Sequence, residues 1–127
     1  MPRPLPLCAA ALLLAACSSS QHKGAELRPD IAGSKVTVPV ELTEYKIRMP
    51  DSIPEGDVTF TVRNIGSHTH TIQVAGPGVT AKLPEALKPG QTGELIAHLA
   101  PGTYRVTCPI DSHTALGMRR TLTVTAR

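Results

Sequence analysis

The chain of 127 residues has the length of one domain and a mildly basic formal charge of +3, from 13 Lys and Arg against 10 Asp and Glu. Aromatics make up only 2% and Trp is absent, so the core has to be built from Val, Ile, Leu and Ala around Tyr45, Phe60 and Tyr104. No basic run or basic–aromatic interleaving occurs, which leaves nucleic-acid binding without support.

Arg3 precedes a mostly apolar run from Leu5 to Ala16 that ends in Leu14-Ala15-Ala16-Cys17. A basic start, a short apolar stretch and small residues before a cut mark a secretory signal. The run is too short for a membrane span, which takes about 20 residues. Its end on Cys17 resembles the lipobox of bacterial lipoproteins. That resemblance implies cleavage before Cys17, a diacylglycerol thioether on its sulfur and an acylated amine; ordinary secretory cleavage is the alternative. Residues 1–16 are therefore expected to be a lipoprotein signal peptide. Residues 17–34 are expected to be a lipidated Cys and a polar, aperiodic tether in which His22 is solvated. Residues 35–127 are expected to form the folded domain, held extracytoplasmically on the outer face of a cell membrane, periplasmic or cell-surface.

From Lys35 the pattern turns to period 2. Val36, Val38, Val40 and Leu42 share one face, and Pro39 on the other points to an edge strand. Tyr45, Ile47 and Met49 alternate, with Met49 expected in the core rather than on a metal. Val58, Phe60 and Val62 follow the Pro54-Glu-Gly-Asp57 turn, and His70, Ile72 and Val74 share a face up to Gly76-Pro77-Gly78. Val79 to Leu87 reads as a loop with a short helical turn near Pro84–Leu87. Leu95, Ala97 and Leu99 then alternate with an outward His98, Tyr104, Val106 and Cys108 share a face, and Leu122 and Val124 close the chain. Short strands between Pro/Gly turns, with no helical period, predict an all-β antiparallel sandwich.

The cysteine arithmetic depends on the leader. Cys8 leaves with the signal and Cys17 carries lipid, so Cys108 remains alone and no intrachain disulfide can form. A lone thiol outside the cytoplasm invites oxidation, and binding a metal removes that hazard. Cys108, His113 and Met118 follow one another on one loop, and His70 lies on an earlier strand. One thiolate, two imidazoles and one thioether match a mononuclear blue-copper site, with two His and one Cys in a plane and a distant Met. His68 is the alternative to His70, since the two share a strand face.

Asn64-x-Gly66-x-x-x-His70, then Pro101-Gly-Thr-Tyr104-x-x-x-Cys108-x4-His113-x4-Met118, then Thr-Leu-Thr-Val124, resembles the cupredoxin family, to which plastocyanin, azurin and rusticyanin belong. The resemblance covers about Lys35 to Arg127. It implies a Greek-key β-sandwich holding one type 1 copper ion, Cu(I)/Cu(II), with His70, Cys108 and His113 equatorial and Met118 axial. It also implies that the edge of His113 passes electrons, and places Asn64 and the residue after the first His behind the ligands. That residue is often Asn; here it is Thr71, whose hydroxyl is expected to brace the Cys loop over a shorter reach. Pro109 has no N–H to donate to the thiolate. Arg119 and Arg120 follow Met118, where they are expected either to steer an acidic partner or to form a solvated basic pair.

The function expected is single-electron transfer, with redox proteins, including a membrane-bound respiratory complex, as partners and the chain acting as a monomer. Storing copper or delivering it to a membrane oxidase is the alternative. A copper enzyme would need further centres and an open coordination position, which five His and one domain do not favour. A binuclear electron-transfer copper site would need two Cys. A metal-free adhesive sandwich leaves the spacing of Cys108, His113 and Met118 unexplained.

Overall fold

Val and Thr in alternation suit a pleated, half-buried surface, and they build the two longest strands, β2 (Lys35–Thr43) and β5 (Gly56–Asn64). β2 buries Val36, Val38, Val40 and Leu42, and β5 buries Val58, Phe60 and Val62. The two pair in parallel from Lys35↔Asp57 to Leu42↔Asn64. This is a computed structural model, and it describes residues 26–127. The signal segment, Cys17 and His22 lie outside the described residues.

Around that pair, β1 (Asp30–Ala32) and β3 (Lys46–Arg48) occupy the free side of β2, and β8 (Thr92–Leu99) runs antiparallel to β5. The second sheet has the order β4 (Ser52–Pro54), β10 (Arg119–Thr125), β9 (Gly102–Thr107), β6 (Gln73–Gly76) and β7 (Val79–Lys82). A single helical turn, α1 (His113–Leu116), lies between β9 and β10. Inward side chains of both sheets form one core, and each buried Val, Leu or Ile contributes about 1.5–3 kcal/mol. With so few rings, many aliphatic side chains do the work that large aromatics do elsewhere.

The all-β sandwich expected from the sequence is present, with four differences in detail. Both sheets are mixed rather than antiparallel, because β2 pairs β5 and β4 pairs β10 in parallel. β2 is not a plain edge strand, yet Pro39 keeps the logic of one. β1 covers Lys35–Thr37 and β3 covers Glu41–Thr43, so Pro39 falls in the gap between them, where a missing N–H leaves no partner wanting. Val79–Lys82 is a strand rather than a loop, and Leu87 forms an isolated bridge with His70 instead of a helical turn. Pairing also starts earlier than Lys35, since β1 lies within the stretch read as tether.

Tyr104 anchors the strand that leads to Cys108. Its hydroxyl donates to the Ala100 carbonyl at 2.8 Å, four residues upstream, as in the tyrosine corner of β-sandwiches. Its ring lies against Gly76, where a Cβ would sit 2.3 Å from the Tyr104 Cδ1. Tyr104→Phe is expected to lower unfolding free energy by about 0.5–1.5 kcal/mol, the net worth of one hydrogen bond. Urea denaturation would show this as a lower midpoint at unchanged slope.

Candidate metal centre

Cys108 continues the inward phase of Tyr104 and Val106 just past the end of β9, so its sulfur points into the sandwich. The chain then doubles back through α1. The Cys108 N–H donates to the Met118 carbonyl at 3.1 Å, the Met118 N–H to the His113 carbonyl at 3.0 Å, and the His113 N–H to the Ile110 carbonyl at 3.0 Å. The Thr114 hydroxyl closes the loop by donating to the Cys108 carbonyl at 2.6 Å. His70 arrives from the other side, fixed by reciprocal bonds with Leu87: its N–H donates at 3.0 Å and its carbonyl accepts at 2.7 Å.

Three side chains from these two segments converge. His70 Nδ1 lies 3.3 Å from His113 Nδ1, and Cys108 Sγ lies 3.6 Å from His113 Nδ1. All three donor atoms fall within 4.8 Å of one another. A metal holding imidazole nitrogen at about 2.0 Å and thiolate at about 2.3 Å separates such donors by roughly 3.3–3.7 Å at trigonal to tetrahedral angles. The spacing therefore fits one ion. The donor chemistry suits copper: thiolate favours Cu(I), and imidazole also takes Cu(II). Cys108, His70 and Met118 are fully buried, and only His113 reaches the surface, at 8% exposure. Leu116, on the same helical turn as His113, is exposed beside it.

The residue that sequence reasoning missed is Glu44. It sits in the two-residue turn between β2 and β3, whose flanking residues Thr43 and Lys46 pair. Its Oε1 accepts from the Ser67 and His68 N–H groups at 2.8 Å each, and lies 3.1 Å from His70 Nε2 and 3.2 Å from His68 Nδ1. Burial raises its pKa, but the bonds from the His68 N–H, the His70 ring and the Ser67 N–H outweigh that and bring it down to about 2. Glu44 is therefore ionised at neutral pH and can only accept. The proton of His70 is then on Nε2, and Nδ1 keeps its lone pair for a metal. Burial lowers the His70 pKa, partly offset by the hydrogen bond and charge of Glu44, so the ring is neutral. Gly66 makes the approach possible: a Cβ there would be 2.5 Å from Glu44 Oε1.

The remaining expectations divide. His70 rather than His68 enters the cluster; the His68 side chain is 63% exposed and turns toward Glu44. Asn64 is buried, and its amide donates to the His68 and Leu87 carbonyls at 2.7 and 2.8 Å while its oxygen accepts from the Gly66 N–H at 2.9 Å. It thus ties the loop before His70 to the Leu87 segment. The brace expected of Thr71 is not made: its buried hydroxyl has no hydrogen-bond partner among the described residues, being too short to stand in for an amide. Arg120 does not face an incoming partner, because it binds the Ile47 carbonyl at 3.1 Å and the Asp51 carboxylate. Arg119 stays exposed. Tyr45 packs its ring 5.2 Å from that of His113. His68→Ala is expected to change stability by less than about 0.5 kcal/mol and to leave metal affinity within about twofold, the equivalent of roughly 0.4 kcal/mol, by competition titration.

No protein-family model matches the chain, and no curated protein matches it. Solved structures do. The dithionite-reduced auracyanin of Roseiflexus castenholzii is similar at a TM-score of 0.57 and 18% identity over 75% of this chain and 99% of that one. Auracyanin A, a "blue" copper protein of the green thermophilic photosynthetic bacterium Chloroflexus aurantiacus, is similar at 0.58 and 18%, over 72% and 99%. A chain of a heme-copper terminal oxidase dimer is similar at 0.60 and 14%, over 95% and 79%. At these identities the likeness establishes the fold: the sandwich is that of the blue-copper auracyanins, and the cluster of His70, Cys108 and His113 fits a type 1 copper site.

Proposed function

We propose that this chain is a membrane-anchored, extracytoplasmic blue-copper protein that transfers single electrons through one mononuclear type 1 copper site. The convergence of His70 Nδ1, Cys108 Sγ and His113 Nδ1 in a buried pocket carries the reading. These three residues would hold the ion, with the buried Met118 as a further donor. Bound copper supplies the Cu(I)/Cu(II) couple. The chain's residues hold the donors in place and exclude water. His113 offers the exposed edge, with the apolar Leu116 beside it as a contact for a redox partner. Asn64 and Glu44 fix the segment that carries His70, so little rearrangement is needed when the charge of the site changes.

The anchor rests on the Leu14-Ala15-Ala16-Cys17 sequence, and no helix among the described residues is long and apolar enough to cross a membrane. The fold shared with a chain of a heme-copper terminal oxidase supports a respiratory membrane complex as partner. No catalytic role is assigned, because every donor is buried and substrate would find no open position. The same burial speaks against copper storage or delivery, which needs ligands that exchange.

The test is the visible absorption spectrum of the purified protein loaded with Cu(II). An intense blue band that ascorbate bleaches is the expected result. A colourless protein that binds only Cu(I), and tightly, would replace electron transfer with copper delivery.

A further inference from the structure

We propose that Glu44 is the positioning residue of the copper site, and that its negative charge biases the bound copper toward the oxidised state. This deepens the electron-carrier reading above and rests on it.

The Glu44 carboxylate touches both backbone and imidazole. One oxygen, Oε1, serves two backbone N–H groups of the loop before His70 and the rings of His68 and His70. Its ionic partners among the described residues are these two His alone, with no Lys or Arg within 4.0 Å. The charge is therefore uncompensated by a fixed cation, and its carboxylate side chain is only 25% exposed. His70 is fully buried, so its interaction with Glu44 runs through a medium that screens poorly.

A carboxylate on the far nitrogen of a ligating His does two separable things. It fixes the tautomer and ring orientation, and it raises the basicity of the nitrogen that binds the metal. A neutral carbonyl in its place does the first and little of the second. A more basic imidazole and a nearby anion both favour the ion of higher charge. In the one-electron couple Cu(II) + e⁻ → Cu(I), the oxidised side gains more from Glu44 than the reduced side does.

Glu44→Gln separates the two roles, since the amide keeps a carbonyl acceptor of the same reach and loses the charge. The expected result is at least a tenfold fall in the Cu(II)/Cu(I) ratio at fixed ambient potential, equivalent to a rise of about 59 mV in midpoint. The blue band should persist. A midpoint equivalent to less than about a twofold change in that ratio would overturn the charge effect, leaving a brace of the loop. A second measurement does not depend on the variant folding or on copper. Nitrogen NMR of His70 in the metal-free wild-type protein is expected to show the Nε2–H tautomer, and an Nδ1–H tautomer would overturn the positioning role. A wild-type protein that never shows the blue band would instead defeat the electron-carrier reading and the redox bias with it, while the His70 tautomer would still decide whether Glu44 positions the ring.

Discussion

Cys108→Ser is expected to abolish the blue band and lower copper affinity by more than a hundredfold. Serine is close in size, and Cys108 sits in a loop held by its own backbone bonds to Met118 and by Thr114, so the fold should survive. The chemistry should not. A structural metal contributes about 10–16 kcal/mol across its ligands, so the share of one strong thiolate is roughly 3 kcal/mol. That converts to more than two orders of magnitude in affinity. Competition with a Cu(I) chelator reads the number directly. Thermal unfolding checks it a second way, because a ligand that binds only the native state raises the melting temperature with its concentration. Copper should raise that temperature in the wild type and barely move it in the variant. Equal shifts in both would remove Cys108 from the ligand set.

Gly117→Ala is expected to cost about 2–6 kcal/mol in stability and to disturb the proposed ligands on either side of it. Gly117 has φ +130°, a conformation open to Gly and strained for other residues, at about 1–3 kcal/mol. The added Cβ would also lie 2.8 Å from the Tyr45 carbonyl oxygen, a backbone atom that cannot swing aside. Relief of such overpacking typically costs a further 1–3 kcal/mol or so. Movement here is transmitted at once to Met118, the next residue, and to the His113 carbonyl that its N–H reaches. Denaturant titration of the metal-free variant would measure the stability loss, and the copper spectrum would report the displaced ligands. Wild-type stability would show that the turn relaxes without strain.

The core strands were legible because Val, Thr and Leu alternate without interruption, and because each inward position from Val36 to Leu42 and from Val58 to Val62 is buried. Cys108 and His113 could be read from their spacing on one short loop, whereas the choice of His70 over His68 leaned on the cupredoxin resemblance and on the Ile72-x-Val74 alternation that follows it. Other features left no such trace. β7 pairs β6 over Val79–Lys82, but its outward Thr80 and Lys82 alternate with the small Ala81, too weak a contrast to mark a strand. α1 has four residues, shorter than a periodic signal needs. Glu44 lies 26 positions before His70, in a turn where an acidic residue is ordinary. Only the parallel pairing of β2 with β5, which sets Leu42 opposite Asn64, brings that turn beside the loop at Gly66. The parallel register was itself hidden, because alternation reports which face a residue occupies and not the direction of its neighbour.

The turn between β2 and β3 is only two residues long, and it reaches both halves of the pocket. Glu44 holds the His70 side, while Tyr45 lies against His113 and meets Gly117 with its carbonyl. The loop from Cys108 to Met118 is therefore not a portable cassette. Transplanted onto another sandwich without this turn, it would bring Cys108 and His113 and lose the wall they are shaped against. Substitutions in the turn and in the loop should accordingly be non-additive, with coupling energies of about 0.5–3 kcal/mol in double-mutant cycles, so that this small hairpin and the metal loop change together or not at all.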